Sequence, residues 1–147
     1  MTNPSMKRLW RHLALSLVPM CFALSGCAQP AGRPGPPPGL AAAPCTPGVC
    51  TIQVFVDQCS AVDGIRLDKP LVEASGAVNM RWEIVTPGFV FDSNGIQFEP
   101  PNDQFEVQNS PRPNEFRIHN KRLQSGDFYY FVNIKGCLRH DPWVRNR

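Results

Sequence analysis

Hydrophobic and polar residues alternate along much of the chain after residue 50. The clearest alternation runs from Val78 to Ile84, where apolar side chains occupy every second position around Trp82. Further candidate strands lie at residues 51 to 57, 105 to 107 and 116 to 118, and a last one lies at residues 128 to 134. A period of two residues predicts β-strands with one buried face, and no stretch shows a helical period.

Two further strand regions are less regular. A short strand is expected within residues 65 to 74, where Pro70 interrupts the apolar pattern. Apolar residues also flank Asn94-Gly95, with Phe91 before this dipeptide and Ile96 after it. Asn-Gly supplies the positive φ angles that tight hairpin turns need, so the sequence predicts a hairpin with its turn at this point.

Seven to eight short strands within residues 51 to 147 predict an all-β chain, folded as a small antiparallel β-sandwich. The strand spacing over residues 51 to 136 resembles that of immunoglobulin-like and cupredoxin-like sandwiches. In both families the first and last strands often run parallel and side by side. That resemblance implies that Cys59 and Cys137, which follow the first and the last predicted strands, lie close together.

The last predicted strand carries large apolar residues on both faces. Tyr129 and Phe131 alternate with Phe128, Tyr130 and Val132. Either both faces of this strand are buried, which we expect, or Tyr129 and Phe131 form an exposed aromatic patch, which is uncommon on soluble domains.

The N-terminal region has the organisation of an export signal. Three basic residues, Lys7, Arg8 and Arg11, precede an apolar run from residue 13 to residue 24. Twelve residues at about 1.5 Å each do not span the ~30 Å hydrocarbon core, which argues against a permanent transmembrane helix. An ordinary secretory leader, cut near Ala28, is one interpretation of this region.

The sequence Leu24-Ser25-Gly26-Cys27, which ends this region, resembles the lipobox of bacterial lipoproteins. In that family a diacylglycerol is attached to the cysteine thiol, and a peptidase cuts before the cysteine. The resemblance implies a signal peptide at residues 1–26, lipid attachment at Cys27 and a location in the cell envelope. Because Ala28 and not Asp follows the cysteine, it also implies the outer membrane if the cell is Gram-negative.

A segment rich in proline, glycine and alanine separates this signal from the predicted strands. Proline fixes φ and has no N–H to donate, so residues 27–50 are expected to form a disordered, lipid-anchored linker before the sandwich domain at residues 51–147. Four cysteines remain in the exported chain and allow three pairings. We expect Cys45–Cys50, which closes a short loop, and Cys59–Cys137.

The net charge of +3 comes entirely from the signal peptide, so its removal leaves equal numbers of acidic and basic residues. This balance argues against a nucleic-acid partner. Basic residues are concentrated after residue 111, where a candidate site for an anionic envelope polymer consists of Arg112, Arg117, Lys121 and Arg122. The alternative is that these residues pair with the acidic residues of earlier strands, and we favour that alternative.

No catalytic motif is present in the sequence, so we expect a non-enzymatic binding or structural module without a cofactor or metal. Its partner would be an envelope polymer or a protein. Two alternatives stay open. One is a metal or redox protein that uses Cys137 and His140, since cysteine and histidine near the last strand are characteristic of copper sites. The other is a periplasmic inhibitor of a hydrolase.

Overall fold

The computed structural model describes residues 35–45 and 48–147, and this part of the chain contains strands and no helices. In chain order the strands are β1 (Ala43–Cys45), β2 (Val49–Val56), β3 (Ile65–Leu67), β4 (Leu71–Ala74), β5 (Val78–Ile84), β6 (Phe91–Phe98), β7 (Phe105–Gln108), β8 (Glu115–Asn120), β9 (Gly126–Ile134) and β10 (Trp143–Asn146). The two cleavage-site residues of the predicted signal peptide, Gly26 and Cys27, lie outside the described residues.

The strands form two five-stranded sheets. Sheet I has the order β1-β4-β10-β9-β6, and sheet II has the order β3-β2-β5-β8-β7. The predicted class, a small all-β sandwich, is confirmed. Both sheets are mixed rather than antiparallel, because β4 runs parallel to both β1 and β10, and β2 runs parallel to β5. The described residues form ten strands, more than the expected seven to eight.

Part of the difference in strand number arises at Pro70. The single strand predicted within residues 65 to 74 is two strands in different sheets, β3 in sheet II and β4 in sheet I. Proline cannot continue a strand ladder with an N–H donor, and the chain changes sheets there. A further strand, β1, lies inside the segment predicted to be linker. Its Pro44 is tolerated because β1 is the edge strand of sheet I.

The hairpin predicted at Asn94-Gly95 is wrong, because residues 91 to 98 form one strand, β6. Phe91 pairs with Ile134 and Ile96 pairs with Val132, so residues 92 to 95 bulge out opposite Asn133. Glycine is needed at position 95 for a reason of space. A Cβ atom there would lie 2.6 Å from Cδ2 of Phe116 and 2.8 Å from Cβ of Phe91.

The two sheets meet around Trp82 of β5 and Tyr130 of β9, both wholly buried. Their rings contact edge to face with centroids 5.4 Å apart, and the indole Nε1 donates a hydrogen bond of 3.1 Å to the tyrosine Oη. Burial raises the pKa of Tyr130, which keeps the phenol protonated. The polar atoms of both rings are therefore satisfied inside the apolar core.

The other face of β9 is buried as well, as expected. Tyr129 is 7% exposed and Phe131 is 3% exposed. The Tyr129 ring contacts the ring of Trp143, and its hydroxyl donates to Asp141 at 2.9 Å. The guanidinium of Arg139 lies 3.9 Å from the ring centre of Phe131. The segment that leads into β10 therefore covers part of the outer face of sheet I.

Both expected disulfides are present. Cys45–Cys50 joins β1 to β2, and Cys59–Cys137 joins the loop after β2 to the turn after β9. The expectation that Cys59 and Cys137 meet because two strands run side by side is wrong. The two strands that precede these cysteines belong to different sheets, so the bridge connects the sheets across the sandwich.

We predict that replacing Cys59 and Cys137 together by serine lowers the free energy of unfolding by about 4 kcal/mol, because the bridge closes a long loop in the unfolded chain. The sequence separation is 78 residues, against 5 for Cys45–Cys50. The matched control replaces Cys45 and Cys50, for which about 2 kcal/mol is expected. Urea denaturation of both double variants measures the difference. Equal losses would contradict the prediction.

Candidate functional site

A groove of about 870 Å³ opens at one side of the sandwich, between β6 and β7, which are edge strands of sheet I and sheet II. Its apolar lining consists of Ile96, Phe98, Pro101, Phe105, Val107, Phe116 and Ile118. Its polar lining includes Asn94, Asn102, Asp103, Glu106 and Lys121. The volume lies within the range of about 300–1,000 Å³ that is usual for ligand pockets, and a mostly apolar lining with a few polar groups is also typical of them.

The groove exists because sheet I is displaced by one strand relative to sheet II on this side. Trp82 of β5 contacts Tyr130 of β9, and one strand further along, Phe116 of β8 contacts Phe91 of β6 with ring centres 5.9 Å apart. β6 is the last strand of sheet I, whereas sheet II continues to β7. The inner face of β7 therefore extends past the facing sheet.

Val107 shows the consequence of this displacement. It pairs with Ile118 of β8, and alternation along the strand places it on the inner face with Phe105. Ile118 is 1% exposed and Phe105 is 9% exposed, but Val107 is 62% exposed. An inward-facing valine is thus left open to solvent at the groove.

Aromatic stacking closes one end of the groove. The rings of Phe98 and Phe105 are parallel, with centres 3.6 Å apart, and Phe105 also contacts Phe128 edge to face. These contacts join the end of β6 to the start of β7. The rings of Phe98 and Phe105 thus separate the groove from the buried core, at the place where the chain crosses from sheet I to sheet II.

The connection from β6 to β7 is held by a buried network of amide side chains. Gln104 accepts a hydrogen bond of 2.9 Å from Asn146 of β10, and Asn120 of β8 donates one of 2.8 Å to the same residue. All three side chains are buried. The side chain of Asn102 accepts from the Gln104 backbone N–H at 3.1 Å, which tightens the turn. The wall of the groove is therefore anchored to both sheets.

Three of the four predicted anion-binding residues lie in ion pairs. Arg112 contacts Glu115 at 2.7 Å, Arg117 contacts the same carboxylate, and Lys121 contacts Glu106 at 2.9 Å. Arg122 has a backbone φ of 50° and a buried Nε without a hydrogen-bond partner in the described structure. Lys121 reaches an earlier strand through Glu106, whereas Glu115 is a local partner of Arg112 and Arg117, and the anion site formed by the four residues stays a prediction.

The basic residues at the C-terminus are paired in the same way. Arg145 contacts Asp127 at 2.6 Å, and Arg147 contacts Glu73 at 2.7 Å. The first pair joins β10 to β9, and the second joins the residue after β10 to β4, so acidic and basic residues from different segments meet across sheet I.

Glu115 has the most unusual environment among these carboxylates, because its side chain is fully buried. Its hydrogen bond with Arg112 is the main cause of a lowered pKa, and Arg117 adds to the effect, while burial opposes it. Glu83 lies directly opposite on β5 and contacts Arg112 at 3.4 Å. The buried carboxylate is therefore held in its charged form by two guanidinium groups.

The residues proposed for a metal or redox site are arranged differently from a copper centre. The sulfur of Cys137 is bonded to Cys59 and is not a free thiolate. His140 pairs through its backbone with Val132, and burial lowers its pKa. Among residues 35–45 and 48–147, no three His, Cys, Asp or Glu side chains are grouped closely enough to hold a metal ion.

The residue predicted to carry lipid, Cys27, lies outside the described residues. Within the described part, no helix has the length and apolar character needed to cross a membrane.

No protein-family model matches the chain, and no curated protein matches it with significance. Inferences about its function therefore depend on its own residues and geometry.

We predict that Glu115→Gln makes the loss of stability at acid pH less steep. Because the folded-state pKa of Glu115 is lowered, its stabilising effect is complete above the unfolded-state pKa of about 4.3 and is lost as the pH falls through the folded-state value. The glutamine variant should be less stable at neutral pH and should converge with the wild type in acid. Urea midpoints measured across this pH range test the prediction.

The control is Glu106→Gln, which removes a carboxylate from an exposed pair with Lys121. Water and salt screen such a pair, so a smaller change is expected. If the wild type and Glu115→Gln lose stability in parallel as the pH falls, the assigned role of Glu115 is wrong.

Proposed function

We propose that this protein is a lipid-anchored component of a bacterial envelope, and that its β-sandwich binds a partner protein without catalysing a reaction. The anchor is Cys27, within the sequence that resembles a lipobox. The observation that supports a binding role most directly is the open groove beside β7, where an inward-facing Val107 has no facing strand.

The ligand that best fits this groove is an extended, apolar segment of another protein. Both walls end in edge strands, whose outer backbone groups are available to pair with an added strand. Apolar side chains at alternate positions of such a segment would cover Val107 and contact Ile96 and Phe116. The polar residues Asp103 and Glu106 would face the remainder of the partner.

A rigid groove favours binding of this kind, because less conformational freedom is lost when the partner docks. The hydrogen bonds of Gln104 and the stacking of Phe98 on Phe105 hold the wall in place before any partner binds. The lipid would keep the domain tethered to the membrane.

We predict that Cys27→Ala moves the protein from the membrane fraction to the soluble fraction, because the acylated thiol is lost. Cys21→Ala is the matched control, since Cys21 lies within the predicted signal peptide and should not affect anchoring. Cell fractionation with mass spectrometry of the mature N-terminus measures both. Retention of Cys27→Ala in the membrane, or equal release of the two variants, would contradict the lipid anchor.

We predict that a photo-crosslinking residue at position 107, in the otherwise unchanged lipoprotein, reacts in cells with a discrete partner. Mass spectrometry of the adduct should place the crosslink in a segment with apolar residues at alternate positions. The control position is Val62, which is 77% exposed and does not line the groove. Equal labelling at both positions, or no adduct at position 107, would contradict a groove ligand.

A synthetic peptide of the crosslinked segment then gives a quantitative test. Val107→Arg should weaken its binding at least about tenfold, or ~1.4 kcal/mol, whereas Val62→Arg should leave it unchanged. The affinities can be measured by fluorescence anisotropy with the labelled peptide.

A further inference from the structure

A second, smaller pocket lies on the outer face of sheet II, away from the groove. It has a volume of about 140 Å³ and is lined by Val49, Asn79, Met80, Arg81, Gln108 and Arg117. No lining residue is shared with the groove. The residues come from β2, β5, β8 and β7, so the register of four strands brings them together.

Two arginines face each other in this pocket. Arg81 of β5 and Arg117 of β8 are direct partners in an antiparallel pair. Like charges at opposed positions repel each other and destabilise a sheet. A directly opposed pair of arginines in a sheet therefore indicates that a negative charge nearby offsets their repulsion.

The negative charge within the protein compensates only one of these arginines. Arg117 contacts Glu115, but Arg81 makes no ion pair with any described residue. One Nη of Arg81 donates to the hydroxyl of Thr51 at 3.0 Å, and its Nε is buried without a hydrogen-bond partner.

The neighbouring carboxylates are already shared. Glu115 contacts both Arg112 and Arg117, and Glu83 contacts Arg112 at 3.4 Å. Three guanidinium groups therefore face two carboxylates in this part of the sheet. One positive charge and one buried N–H donor remain unbalanced at Arg81.

We propose that this pocket binds an oxyanion, a phosphate or carboxylate group, between Arg81 and Arg117. A guanidinium presents N–H donors in a planar fork that matches such groups. The side chains of Asn79 and Gln108 are exposed beside the pair and add amide donors. The pocket is smaller than the ~300 Å³ of ordinary ligand sites, so it accommodates one charged group rather than a whole larger ligand.

This site is independent of the proposed groove function. Variants at Val107 should not change anion binding, and variants at Arg81 should not change peptide binding in the groove. Either proposal can therefore fail without the other.

The test is a titration of the full-length ¹⁵N-labelled lipoprotein in detergent micelles with sodium phosphate, and separately with sodium acetate, at constant ionic strength. The Nε–Hε resonance of Arg81 is followed by NMR. A saturable shift with a dissociation constant on the order of 1 mM is expected with at least one anion. A response to phosphate alone identifies a phosphate site, and a response to acetate identifies a carboxylate site.

Three variants make the result specific. Arg81→Gln should abolish the response of the Arg117 resonance, and Arg81→Lys should weaken it at least about tenfold, because lysine keeps the charge but lacks the planar fork. Arg66→Gln is the control variant and should leave the response of the Arg81 resonance unchanged. Arg66 lies on β3 of the same sheet and is already paired with Asp57. The dispersion of each variant's spectrum verifies that it is folded.

The proposal is overturned if neither anion gives a saturable shift of Arg81. It is also overturned if the Arg117 resonance responds in Arg81→Gln as it does in the wild type, or if the Arg66 resonance moves to the same extent as that of Arg81.

Discussion

The contact between Trp82 and Tyr130 is the interaction on which the arrangement of the two sheets depends. β5 is the central strand of sheet II, whereas β9 is next to the edge of sheet I. Because these two strands face each other, β6 faces β8, and β7 contacts sheet I through Phe105 while Val107 further along β7 is left 62% exposed. A core contact between two buried rings thus determines where the sandwich is open. Replacing either ring would disturb both the stability of the core and the shape of the groove.

The sequence was sufficient to predict features that depend on local pattern. The strand at Val78–Ile84 has the bounds expected from its alternation, because one face of this strand packs into the core and the other does not. The all-β fold class follows from the same two-residue alternation of apolar and polar positions. Both disulfides also agree with expectation, although the reason offered for Cys59–Cys137 was wrong, since the bridge crosses between sheets.

Features that depend on distant contacts could not be predicted in this way. Asn94-Gly95 has the composition of a hairpin turn, but its glycine is required by the ring of Phe116 in the facing sheet. Val107 has the pattern of a buried strand residue, and its exposure depends on where sheet I ends, at β6. The sequence does not distinguish Arg81 from the other basic residues, because its opposition to Arg117 arises from strand register across 36 positions of sequence.

The charges of this domain show why pairing and binding have to be separated residue by residue. Five of the eight basic residues after position 111 contact a carboxylate, and four of them reach one on another strand, as Arg145 reaches Asp127, so much of the uneven charge along the chain is neutralised locally in the fold. An anion that approached these pairs would have to displace a carboxylate already in place. At Arg81 nothing has to be displaced, since its charge is not balanced by a described residue. The anion proposed for this pocket would therefore be bound through the arginine without an ion pair and not where basic residues are most numerous in the sequence.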